Sequence, residues 1–250
     1  GKLAGERLAK VGAKRLGVVE LDRMPGGVVE EIDSVLPVEL SDATDLFTKV
    51  RGQVDGAELN LVRLTDGIAR EAFKAGDATS KFAGDFTGPV ERAVRLAGAE
   101  ECYVAVAPDL SKDRCFIRTG KAALGRTFAA RLSVAYNGVW VRRIETFSAV
   151  SEIASRLASV SVELDHASPI HPADGSISAF YLPDGAKLID WHLEAPYGTR
   201  PLKIVADAEK PLAAPVPYGI LTTAFTQGGE TIVAARPVGI GDTWRREAAE

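Results

Sequence analysis

Tyr136-Asn137-Gly138-Val139 constrains this chain more tightly than any other four residues in it. Asn-Gly between two segments of alternating polarity is the preferred loop of a two-residue type I′ hairpin, because both central residues must take positive φ. Pairing outward from the turn sets Ala135 opposite Trp140, Ser133 opposite Arg142 and Arg131 opposite Ile144. Successive side chains of a strand point to opposite faces. Leu132, Val134, Tyr136, Val139 and Val141 therefore share one apolar face, which must be packed. Arg131, Ser133, Ala135, Trp140, Arg142 and Ile144 share the other, and its two arginines are diagonal neighbours within reach of each other.

Helices precede the hairpin and more strands follow it. Asp55 is placed to cap a long helix toward Ala75, with Leu59, Val62, Ala69 and Phe73 on one face and Gly76 at its end. Gly84 to Gly88 reads as an exposed loop, and Gly88-Pro89 as the start of a second helix through Val90 and Val94 to Gly98. Residues 102–107, 114–118 and 126–136 have strand character, and 148–160 form an amphipathic helix. Further strands are expected at 176–182, 187–193, 203–206, 219–226 and 231–236, with a stiff, irregular connection at 211–217. The class is α+β.

The first fifty residues alternate differently. Helices are expected through Leu3, Leu8 and Val11, through Val28, Ile32 and Val35, and from a cap at Asp42 toward Val50; short strands are expected at 16–21 and 38–40. Two short parallel strands would leave most of their apolar surface wet. Residues 1–50 thus read as the C-terminal remnant of a smaller α/β domain, residues 51–250 as the principal domain, and the chain as a fragment of a two-domain protein.

Composition narrows the function. Lys plus Arg number 30 and Asp plus Glu 34, a formal net charge of -4 without a basic run, which argues against nucleic acid or an anionic membrane as partner. No apolar stretch approaches a membrane span and no leader is recognisable, so a cytoplasmic location is expected. Cys102 and Cys115 are too far apart for a zinc motif and are expected to be reduced, buried packing residues. No phosphate-binding loop, dinucleotide fingerprint or nucleophile elbow occurs. Of three histidines, His166 and His171 lie in a proline-rich segment and read as exposed loop residues. His192 lies on an expected strand beside Trp191. It is the candidate catalytic residue, as a general acid or base, because imidazole exchanges protons near neutral pH.

Residues 131–146 also resemble a motif of the creatinase, aminopeptidase P and prolidase family, Asp-x-Gly-x-x-Tyr-x-Gly-Tyr-x-x-Asp-x-x-Arg-Thr. Tyr136, Gly138 and Thr146 match with their spacing intact. Arg51 through Glu58 is similar to that family's entry into its first long helix, Asp190 through Pro196 to its Asp-x-His-Glu-x-Pro element, and Gly219 to Arg236 to its last two strands. The resemblance implies the pita-bread fold and, ordinarily, two divalent metals held by two Asp, one His and two Glu. This chain has Arg131 and Arg142 where the two Asp belong, Thr223 or Phe225 where one Glu belongs, and only Glu230 near the other. Guanidiniums repel cations and offer no ligand oxygen. The expectation is a non-catalytic or repurposed member without the metal centre and with no cofactor, binding a small or peptide-like carboxylate ligand in the old cleft.

Arg131, Arg142, Trp140, Glu194 and Glu230 are the candidate binding residues. The arginines either form structural salt bridges to Glu194 or Glu230, or hold a ligand carboxylate bidentately. The alternatives are a metal-independent hydrolase of creatinase type acting on a C–N bond, with His192, Glu194 and Glu230 at its centre, or a metal-dependent aminopeptidase whose ligands are not recognisable. A second copy of the chain in a homodimer is the expected protein partner.

Overall fold

In the computed structural model of the chain, the structure describes residues 1–12, 14–36, 38–51, 54–165, 182–195, 202–204 and 218–239. Two compact units result, residues 1–53 and the remainder of the described residues.

In the first unit, α1 (Lys2–Val11) ends at Gly12, whose left-handed φ of 68° lets its N–H bond to the Ala9 carbonyl. β1 (Arg15–Val18) pairs in parallel with β2 (Glu39–Asp42), and α2 (Gly26–Val35) lies between them in sequence. The strand expected over 16–21 stops at Val18, because a 3-10 turn at Leu21–Arg23 follows. Asp42 Oδ1 accepts from the backbone N–H and the hydroxyl of Thr44 at the start of α3 (Thr44–Arg51).

The second unit is built on a seven-stranded antiparallel sheet. Its strands are β3 (Glu101–Ala107), β4 (Thr127–Tyr136), β5 (Val139–Ser148), β6 (Lys187–Ala195), β7 (Leu202–Ile204), β8 (Tyr218–Gln227) and β9 (Glu230–Gly239), in the spatial order β3-β4-β5-β9-β8-β6-β7. The hairpin forms as its turn chemistry requires. Asn137 and Gly138 have φ of 47° and 77°, and Ala135, Ser133 and Arg131 lie opposite Trp140, Arg142 and Ile144.

Three helices cover one face of the sheet. α4 (Gly56–Phe73) begins at Asp55, whose carboxylate accepts from the Glu58 N–H at 2.9 Å; Leu59, Val62, Ala69 and Phe73 are buried. With α5 (Ala83–Leu96) it packs on Phe128, Ala130, Leu132 and Val134, the apolar side of the hairpin. α6 (Ser151–Asp165) lays Ile153, Leu157, Val160 and Leu164 against Phe225, Ile232 and Ala234. Arg143 shares this inner face. Its side chain is 3% exposed and is neutralised by Asp66 of α4 at 2.9 Å and by Glu145 at 2.7 Å.

Three expectations fail here. Residues 84–88 are not an exposed loop: α5 starts at Ala83 and encloses Pro89. Its first N–H groups, at Ala83 and Gly84, bond to the carbonyls of Ala122 and Gly120, so the missing Pro89 donor falls inside a helix already anchored from outside. Residues 114–118 form no strand but one bridge, Val106 with Ile117. Asp109 and Asp113 bind the N–H groups of Ser111 and Cys115, and such local turns compete with a ladder. Cys115 is exposed, while Cys102 is buried as expected. His166, His171 and the connection at 211–217 lie outside the described residues. Among the described residues no helix is long and apolar enough to cross a membrane.

Candidate functional site

The sheet face away from the helices is where the polar half of each strand alternation collects. Arg131 comes from β4, and Arg142 and Ile144 come from β5. On β6, Asp190, His192 and Glu194 alternate with Trp191 and Leu193, and Leu193 is fully buried on the opposite side. Thr222 and Ala224 of β8 and Val233 of β9 form the floor between these groups. Together with Asp113, Arg114 and Phe116 from the connection after β3, they line a cavity of about 650 Å³. A smaller cavity of about 180 Å³ on the helical side is lined mainly by apolar residues of α6, β5 and β9.

Glu194 is the electrostatic centre of the larger cavity. Its Oε2 accepts from Arg142 Nη1 at 2.6 Å, and its Oε1 lies 3.2 Å from His192 Nε2. The hydrogen bond from His192 and the charge of Arg142 hold the Glu194 carboxyl below its ordinary value, against the opposing effect of burial. Arg142 remains incompletely satisfied, since its Nε is buried without a hydrogen-bond partner. Arg114 pairs with Asp190 at 2.6 Å across the mouth.

Arg131 differs from all of these. Its guanidinium lies over the Phe116 ring, 5.2 Å from the centroid, and no carboxylate among the described residues pairs with it. Burial first, and then the charge of Arg142, push it below its ordinary value, with Glu194 pulling weakly the other way. An arginine retains its charge in any protein environment. The half-buried Arg131 is therefore a fixed cation for which the described residues supply no neutralising partner.

Of the six residues singled out from sequence, the fold brings Arg131, Arg142, His192 and Glu194 to one cavity. Glu230 is elsewhere, accepting from Thr127 Oγ1 at 3.0 Å and facing Arg126 at 3.4 Å. Trp140 stands on the same sheet face but not in the cavity lining; it stacks on Tyr103. Phe116, Arg114, Asp190 and Thr222 were not anticipated as lining residues. Strand alternation from His192 would have found Asp190, whereas nothing local in the sequence ties residues 113–116 to β6.

No protein-family model and no curated protein sequence matches the chain. Solved structures do. An X-Pro aminopeptidase from Thermotoga maritima MSB8 superposes with a TM-score of 0.59 at 15% identity, over 96% of this chain and 74% of that one. A Xaa-Pro dipeptidase from Bacillus anthracis gives 0.58 at 11% identity, over 96% and 73%. A dipeptidase from Pyrococcus horikoshii OT3 gives 0.60 at 13% identity, over 94% and 72%. At such identities the likeness is one of fold: this chain has the pita-bread architecture that these peptidases share.

Proposed function

We propose that this protein is a peptidase-like member of the pita-bread group that has no dinuclear metal centre and binds a small or peptide-like carboxylate in the cavity of Glu194 and Arg131. One observation carries the proposal: Arg131, a half-buried cation aimed at a 650 Å³ cavity, has no carboxylate partner among the described residues. Arginine is suited to the role, because its planar fork meets a carboxylate with two parallel hydrogen bonds. The donor set does not fit a pair of divalent cations. By the family resemblance Arg131 and Arg142 take the positions of two Asp ligands, and a guanidinium offers no oxygen to a cation, which supports the reading.

Arg131→Met tests this reading directly. In the wild-type protein, simple carboxylates such as hexanoate are expected to raise the melting temperature in a concentration-dependent way, as any ligand of the native state does. In Arg131→Met that shift is expected to vanish, with basal stability unchanged or slightly improved because an unneutralised charge has been removed. A shift that persists in the variant refutes the site. Stoichiometric metal in the purified protein, lost when residues of this face are changed, returns the chain to the metal-dependent aminopeptidases.

A second reading, metal-independent hydrolysis of a C–N bond, draws on the His192–Glu194 contact, since a carboxylate that orients imidazole is what a general base requires. A screen over amides, dipeptides and amidino compounds separates the two. On the hydrolase reading, His192→Ala abolishes turnover, by about 10²–10⁴-fold, while leaving carboxylate binding in place. On the binding reading, the wild type turns over none of them.

A further inference from the structure

The polar face of the sheet continues beyond the cavity. Tyr103 lies opposite Ser133, and Trp140 opposite Ala135, so the strand between the two aromatic residues carries only small side chains there. The rings lean over it and meet as parallel plates, 5.7 Å between centroids with an interplanar angle of 4°. The Tyr103 hydroxyl is held by Glu101, and the Arg118 guanidinium lies over the Tyr103 ring at 4.8 Å. Even so, each ring remains 42% exposed. A fixed aromatic plate that half faces water offers a flat surface on which a ligand ring can stack.

The register connects this plate to the cavity. Ala105 lies opposite Arg131, which makes Tyr103 a diagonal neighbour of Arg131, about 7–8 Å away along the sheet. Trp140 precedes Arg142 by two residues on the same face, about 7 Å. Arg118 is near enough to disfavour the charge on Arg131. Neither Arg118 nor Arg131 has a carboxylate partner among the described residues, whereas Glu101 is bound to the Tyr103 hydroxyl, Glu194 to Arg142 and Asp190 to Arg114, so an anion near the plate has Arg118 and Arg131 to meet. A second copy of the chain is a poor occupant. The free part of the two rings amounts to about 60–100 Å² each, if a whole aromatic side chain offers 150–250 Å². A stable interface needs roughly 800 Å² per partner.

We propose that Tyr103 and Trp140 form an aromatic subsite that seats the ring of an arylalkyl carboxylate whose carboxylate rests on Arg131. This rests on the reading of the cavity given above, and it narrows the ligand from a carboxylate in general to one with a planar ring three or four carbons away. The ring stacks on the plate while the chain crosses Ser133.

Three probes test it by calorimetry on the full chain: 4-phenylbutyrate, hexanoate (same charge, no ring) and 4-phenylbutanol (same ring, no charge). For the wild type, 4-phenylbutyrate is expected to bind about tenfold tighter than hexanoate, and the alcohol not measurably. Trp140→Ala is expected to bring 4-phenylbutyrate down to the hexanoate level and leave hexanoate untouched. Tyr103→Leu serves as a second variant, and an unchanged melting temperature identifies the folded ones. Quenching of tryptophan fluorescence by 4-phenylbutyrate, but not by hexanoate, is the matching spectroscopic result. If hexanoate binds and the ring adds nothing, or its advantage survives both variants, the subsite is wrong while the carboxylate cavity stands. If no carboxylate binds, the cavity reading falls and the subsite with it. If the protein self-associates and Trp140→Ala abolishes that, the plate is an interface between copies and the proposal is overturned.

Discussion

Phe86→Ala is expected to lower the free energy of unfolding by about 3–5 kcal/mol, read as a shift of the urea midpoint at constant slope. Phe86 is fully buried. It meets Phe128 edge-on with centroids 5.1 Å apart and Phe147 at 4.8 Å, so its removal leaves a void at the junction of α5 with the hairpin sheet. Collapse around the void is restricted. The ring is packed so closely on Gly76 that a Cβ there would come within 2.5 Å of it. Phe86→Leu keeps most of the volume and is expected to cost less than Ala by about half or more. A loss below about 1 kcal/mol for Phe86→Ala would mean that residues 84–88 lie in solvent and that α5 does not begin at Ala83.

Glu194→Gln is the second large effect. Glu194 neutralises Arg142, and its side chain is 13% exposed while that of Arg142 is 34% exposed. Breaking a fully buried pair costs about 3–5 kcal/mol; with a third of Arg142 in water, about 2–3 kcal/mol is expected. The double variant Glu194→Gln/Arg142→Met is expected to recover most of the loss, because it leaves no uncompensated charge from that pair. The pH dependence has a defined sign. The Glu194 carboxyl is held below its ordinary 4.5 in the folded chain. Its contribution is therefore fully present above about pH 4.5 and is lost as pH falls through the lowered folded value. Acid unfolding of Glu194→Gln is expected to be correspondingly flatter in that window, and identical curves for wild type and variant would refute the role assigned to Glu194.

These two residues mark what could be read from the sequence and what could not. The hairpin was legible because its turn chemistry is local. Asn137-Gly138 demands positive φ, and that demand fixes the register of twenty residues and the shared face of Arg131 and Arg142. His192 was singled out by its chemistry on an expected strand and Glu194 as a partner for the arginines, and the fold sets both on one side of β6. Phe86 was hidden because Gly84, Gly88 and Pro89 weaken a helix from within, while the carbonyls that rescue its start belong to Gly120 and Ala122, more than thirty residues away. Glu230 was misplaced for a related reason. Val233 of β9 faces the cavity, so alternation turns Glu230 to the other side, and the pairing Gln227↔Glu230 puts it at the strand end beside Arg126 and Thr127. Buried Arg143 shows the same limit, since on a face that alternation marks as apolar its place depends on Asp66 of α4, distant in sequence, together with Glu145.

The middle of the seven-stranded sheet is joined unusually. β5 and β9 share one ladder pair, Ile144 with Ala235, and beyond it the Thr146 hydroxyl donates to the Val233 carbonyl at 2.8 Å and accepts from the Val233 N–H at 2.9 Å. On the helical face the packing divides at this seam, α4 and α5 over β3–β5 and α6 toward β8 and β9, whereas on the other face Ala129 and Ile144 pack across it against Ile220, Ala224, Val233 and Ala235. A single hydroxyl thus does the work of two peptide groups where the two cores meet. Solvent competes for a side-chain bridge more easily than for a continuous ladder, so this line is held by the side chains that span it more than by backbone pairing. Local opening would begin there, and Arg142 and Glu194 stand on opposite sides of it.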